Sequence, residues 1–191
     1  MIPLILAILV VVWTWRTGRP WSEFGLARPR NLPLTIATGI VFGIAFKFAM
    51  KAIVMPLLGA DPINQAYSHL TGNPAALPGM IVTILVSAAF GEEVFFRGLL
   101  FERFEKLLGD RPWGVALTVV ITAVVFGFAH YGTQGLPGVQ QATVFGLVFG
   151  GIFAHTRSLW MLMIAHAAFD LTALWMIFYG LETRIAHLIF K

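Results

Sequence analysis

The sequence predicts an all-α, polytopic transmembrane helix bundle, with about six spanning helices around a polar intramembrane cavity. Three observations carry that expectation. The 191-residue chain is 58% hydrophobic and only 12% charged, and its mean hydropathy of +0.83 lies far above that of ordinary soluble domains. Its apolar residues gather into runs near the ~20 residues that cross a bilayer as a helix. Several ionisable residues nevertheless sit inside those runs, where each charge costs about 2.5–3.5 kcal/mol on insertion scales and marks function by default.

The apolar segments fall at about 1–15, 33–58, 77–101, 113–131, 139–155 and 158–179. The first is short. No basic residue precedes it and no small-residue cleavage site follows, so Met1 to Trp15 reads as a first transmembrane helix rather than a secretory signal peptide. Arg19 to Leu32 mixes Trp21, Phe24 and Leu26 with charges and reads as a short interfacial anchor. Pro33, Pro78 and Pro112 stand near helix starts, where a missing N–H is harmless, and Gly109 can cap the helix before it. The third segment can run on through the charged stretch Glu102, Arg103, Glu105, Lys106 to Leu108, turning at Gly109 to Pro112. Gly146, Gly150 and Gly151 permit close packing of the fifth segment. Lys47 and Lys51, four apart in the second, read as snorkelling to the outer interface; the other reading has them line the cavity and attract a substrate carboxylate. No internal repeat or low-complexity stretch appears, so residues 1–191 are expected to form one integral membrane domain.

Orientation follows from the connections. Arg16, Arg19, Arg28 and Arg30 lie between the first two segments, Arg103, Lys106 and Arg111 between the third and fourth, and Arg157 between the fifth and sixth. Positive connections face the cytoplasm, whereas the alternate ones, about 59–76 and 132–138, hold no Lys or Arg. The chain should therefore be a multi-pass protein of the cell membrane with its N-terminus outside; only the tail, with Arg184 and Lys191, dissents. The net charge of +4 is explained by this topology, which leaves no case for nucleic-acid binding. With no cysteine present, disulfides, thiolate nucleophiles and Cys-ligated metals are excluded.

Glu92 and Glu93 stand side by side in the third segment, with Arg97 following. Residues four apart stack on a helix, so Glu93 and Arg97 form a natural ion pair. Glu92 then points elsewhere, with no local counter-ion in low dielectric, a setting that suits a general base. His166 and Asp170 share a face of the last segment, and Phe126 lies one turn below His130. With the hairpin centred at Gly109 to Pro112, Glu92 and His130 are both about 28 Å from its centre and should face each other. His155 beside Arg157 reads as interfacial, and His69 and His187 fall in connecting or terminal segments.

Three motifs in order carry a resemblance: Glu92-Glu93-Val94-Phe95-Phe96-Arg97 with Gly98, then Phe126-Gly127-Phe128-Ala129-His130, then His166-Ala167-Ala168-Phe169-Asp170. Together they resemble the signatures of the CAAX-protease and bacteriocin-processing (Abi) family, which includes the type II CAAX prenyl endopeptidases, over about residues 77–175. The resemblance implies an intramembrane endopeptidase acting on a membrane-associated or lipid-tethered polypeptide. It further implies Glu92 and His130 as activators of a water, His166 and Asp170 on the oxyanion side, and Glu93, Arg97 and Phe126 in support. The prenyl-endopeptidase branch usually has asparagine where this chain has Asp170. An ionised carboxylate repels an oxyanion, so Asp170 must be protonated, orient His166 or ligate a metal. Glu92, His130, His166 and Asp170 could hold zinc, though their spacing is not that of a chelating motif, and no cofactor is otherwise implied. The rivals are a non-catalytic immunity or scaffold relative that binds another membrane protein, and a small proton-relay transporter, which would show paired halves absent here.

Overall fold

The structure, a computed structural model, describes residues 2–190; Met1 of the first apolar segment and Lys191 of the basic tail lie outside the described residues. Five helices are long and apolar enough to cross a membrane: α2 (Leu32–Leu57), α3 (Pro74–Leu108), α4 (Pro112–Ala129), α5 (Tyr131–Thr156) and α6 (Leu159–Phe178). They are preceded by the shorter apolar α1 (Ile2–Thr17) and followed by a short α7 (Glu182–Ala186). There is no strand among the described residues, so the all-α polytopic bundle is as expected.

The helix boundaries follow local chemistry. The Asn31 side chain accepts from the Leu34 N–H at 3.1 Å, and Pro33 occupies the first turn of α2. Gly109, at φ +85°, ends α3, and Pro112 opens α4. No proline interrupts Met80 to Arg111, and α3 continues through its charged end to Leu108 as expected. From Thr83 to Leu100 it is wound in the wider i→i+5 pattern, which is rare and found mostly at functional sites. The charged end is tied to its neighbours: Lys106 donates to Glu23 at 3.0 Å, and Arg157 donates to Glu105 at 2.6 Å. The three arginine-bearing connections are thus fastened together at one end of the bundle.

Close backbone approach fixes how the helices meet. A Cβ on Gly91 would lie 3.0 Å from the Leu4 Cα, so α1 packs directly beside the glutamate pair. A Cβ on Gly43 would run into the Ala165 carbonyl oxygen, which holds α2 against α6 next to His166. Between these helices lies an aromatic ladder from α2, α5 and α6: the partly buried Phe42 and Phe46 and the buried Phe145, Phe149 and Phe169. Phe145 and Phe149 stack at 3.8 Å between centroids, and Phe46 meets Phe169 at 5.5 Å. This rigid floor underlies the polar site.

Four expectations are corrected. Residues 132–138 are not an open loop: α5 begins at Tyr131 and is bent at Gly135 (φ 61°, ψ −157°) just before Pro137. Phe24 is no lipid anchor but is fully buried, because the Gly25 carbonyl accepts from the Leu159 N–H at 2.8 Å and draws the segment onto α6. Gly146 and Gly150 pack against Ala123 and Val119, but Gly151 faces open space. Lys47 and Lys51 do not snorkel. They are 6% and 8% exposed and turn inward to polar partners.

Candidate active site

Glu92 on α3, His130 at the junction of α4 and α5, and His166 and Asp170 on α6 all line one cavity of about 730 Å³, together with Phe126. Further walls come from α2 and α3, from residues 59–67, from Gln134, Pro137 and Gly138, and from the end of α6 with the tail beyond it. Residues 59–67, the start of α5 and the end of α6 lie at the end of the bundle opposite the arginine-bearing connections. Helix geometry thus brings together residues as distant in sequence as Glu92 and Asp170.

The two glutamates differ sharply. Glu93 is fully buried, and its Oε1 accepts from Arg97 Nη1 at 3.0 Å, which is the ion pair the spacing predicts. The same oxygen lies 2.7 Å from His166 Nδ1, a contact that joins α3 to α6 and that no sequence spacing announces. Arg97 is also walled by rings, with its guanidinium 4.6 Å from the Phe126 centroid and 5.6 Å from that of Phe145. Glu92 makes no hydrogen bond or ion pair among the described residues, and its Oε2 is buried without a partner.

The histidines are oriented by their neighbours. His130 Nδ1 lies 2.9 Å from the Phe126 carbonyl oxygen. A carbonyl can only accept, so Nδ1 carries the hydrogen and Nε2 keeps its lone pair for the cavity. The Phe126 ring meets the imidazole edge-on at 4.7 Å and restricts its rotation. His166 is clamped between carboxylates: Nδ1 on Glu93, and Nε2 3.5 Å from Asp170 Oδ2. Glu92 and His130, expected to face each other, both line this cavity, and no direct hydrogen bond joins them among the described residues.

Sequence reasoning missed several polar residues of this cavity. Tyr67 lines it from the turn Gln65–Leu70, and Gln134 donates to its phenol oxygen at 3.3 Å. Burial, with Asp170 and Glu92 as its charged neighbours, pushes the Tyr67 phenol above its ordinary value, so it stays protonated at neutral pH. Gln141 accepts from Lys47 at 3.0 Å, and Lys51 donates to Glu182 at 2.8 Å. Tyr67, Gln134 and Gln141 stand in stretches without motif spacing, so no sequence signal singles them out.

A bundle of apolar helices enclosing a cavity lined by Glu92, Asp170 and two oriented histidines defines a polytopic membrane protein with a built polar interior. The chain belongs to the family described as type II CAAX prenyl endopeptidase Rce1-like, whose sequence model matches residues 74–172. Membership places it among the CAAX-type intramembrane proteases, and the matched region holds all three motifs. No curated protein and no solved structure was found to match the chain.

Glu92, His130, His166 and Asp170, the residues that could hold zinc, line one cavity. No three His, Asp or Glu side chains gather as a metal-holding group among the described residues. Glu93 Oε1 is occupied by Arg97 and His166 Nδ1, and Asp170 faces His166 Nε2.

Proposed function

We propose that the chain is an intramembrane endopeptidase that hydrolyses a peptide bond of a membrane-associated or lipid-tethered polypeptide through a water activated by Glu92 and His130. One observation carries this reading: the Glu92 carboxylate lines the cavity with no hydrogen-bonding partner, while its neighbour Glu93 is held through Oε1 by Arg97 and His166. A carboxylate kept free in a low-dielectric cavity is suited to take a proton from water, and the His130 Nε2 lone pair can hold that water's other hydrogen. The hydroxide formed attacks the scissile carbonyl, and the charge passes to the carbonyl oxygen; on collapse the C–N bond breaks and the proton taken by Glu92 is returned to the leaving amine.

His166 and Asp170 take the oxyanion side. Two lone pairs facing each other at 3.5 Å would repel, so the pair holds one proton between Nε2 and Oδ2. That proton can be turned toward the oxyanion, which removes the objection that a carboxylate repels it. Glu93 and Arg97 position His166, and Phe126 positions His130.

Two results test the chemistry. Asp170→Asn should retain much of the wild-type turnover of a fluorogenic, membrane-associated peptide, because an amide can also hydrogen-bond to the imidazole or donate to the oxyanion. A strong chelator should leave wild-type turnover unchanged. An inactive, well-folded Asp170→Asn protein restored by added zinc would move the mechanism to metal, with Asp170 as ligand.

The positive-inside assignment, with the N-terminus outside, puts the cavity mouth on the outer face, because residues 59–67 and 134–138 lie opposite the arginine-bearing connections. The chain has no cysteine, so single reporters are clean. In intact cells Ser68→Cys should react with a membrane-impermeant maleimide, and Asp110→Cys should react only after lysis. The reverse pattern would place the mouth in the cytoplasm. Substrates are best sought by comparing membrane proteomes of cells carrying wild type and Glu92→Ala.

A further inference from the structure

Two lysines face the cavity from α2, and their charges are treated differently. Lys51 is matched by a carboxylate, Glu182 Oε1 at 2.8 Å, and also donates to the Pro62 carbonyl oxygen. Lys47, one turn earlier and 6% exposed, has no ion pair among the described residues. Its ammonium donates to the neutral Gln141 Oε1 at 3.0 Å and lies 4.7 Å from the Phe169 ring centroid. An amide and an aromatic face do not replace the water lost by a buried cation, and two of its three N–H groups remain available. Asp170 lines the same cavity but is engaged at His166 Nε2 and makes no ion pair with Lys47.

The position is as informative as the charge. Phe169, which carries the ammonium on its face, contacts Phe145 at 5.0 Å between centroids, and Phe145 contacts His166 at 4.6 Å. Lys47 is therefore linked through two aromatic rings to His166 on the oxyanion side of the site, and it lines the same cavity, within reach of a peptide seated there.

The geometry points to Lys47, with Gln141, as a subsite that receives a carboxylate of the substrate within a few residues of the scissile bond. The carboxylate completes the missing ion pair: two charge-assisted N–H···O bonds form on Lys47, and Gln141 stays on the third. The group is either the substrate's own C-terminus or an acidic side chain. This inference rests on reading the cavity as a peptide site, and it deepens that reading by naming what the site recognises.

The test reads binding rather than cleavage, so it can fail or succeed independently of the proposed chemistry. Three dansyl-labelled pentapeptides of otherwise identical apolar sequence are titrated against the Glu92→Gln protein in detergent: one with a free C-terminal acid, one amidated, and one amidated with an internal glutamate. At least one acidic probe should bind about tenfold or more tighter than the neutral amide, the effect of a charge-assisted hydrogen bond. The preferred acidic probe tells a C-terminal from a side-chain carboxylate. Adding Lys47→Met should abolish the preference, whereas Lys47→Arg should keep it. Equal binding of all three probes, no binding of any, or a preference that survives Lys47→Met would overturn the assignment. Should the methionine variant not fold, the ratio measured on the Glu92→Gln protein alone decides.

Discussion

Glu92→Gln should abolish proteolysis while the protein remains folded in detergent. The amide preserves the shape of the carboxylate and removes its capacity to take a proton, and a positioned general base contributes on the order of 10²–10⁴-fold to rate. Because Glu92 has no partner to lose, with its Oε2 unbonded in the native protein, the substitution breaks no structural contact. Elution volume, helicity and thermal midpoint should match wild type, while turnover of a membrane-associated peptide falls by about 100-fold or more. Retained turnover above about a tenth of wild type would place the chemistry elsewhere in the cavity. Folding with full loss of turnover also distinguishes an enzyme from a scaffold relative, in which Glu92 would have no measurable task.

Much of this architecture was legible in the residues because hydrophobic run length is a local signal. The five spans follow the predicted segments closely, and the charged extension of α3 follows from an absence of proline between Pro78 and Pro112. The Glu93–Arg97 pair and the shared face of His166 and Asp170 came from the four-residue spacing alone. What was not legible depends on contacts between distant segments. The Glu93–His166 bond spans 73 residues, and the Lys47–Gln141 bond spans 94. A lysine within an apolar run reads first as a snorkelling residue, and only the partner on α5 decides. The kinked start of α5 was illegible for another reason: Gly132, Thr133 and Gly135 have weak helix propensity, and the turn forms there because His130 closes one helix and opens the next.

Glu93→Gln should produce the largest loss of stability of any single substitution at the site. Glu93 is 0% and Arg97 2% exposed, and Glu93 Oε1 serves both Arg97 and His166. Neutralising it leaves a guanidinium in the bundle interior with only the rings of Phe126, Phe145 and Phe149 around it. Breaking a buried pair by removing one partner costs about 3–5 kcal/mol, which lowers the thermal midpoint by about 10 °C for a chain of this size. The loss should be largely recovered in the double variant Glu93→Gln with Arg97→Met, because removing both charges also removes the uncompensated one. Activity should not return with stability. The second role of Glu93, holding His166 Nδ1 so that Nε2 faces Asp170, is not restored by a methionine, and an amide at position 93 can turn its NH2 toward the imidazole and favour the wrong tautomer. A stable, inactive double variant is thus the expected result, measured by thermal unfolding in detergent alongside peptide turnover. A single Glu93→Gln protein that is as stable and as active as wild type would remove the ion pair and the histidine clamp from the mechanism together.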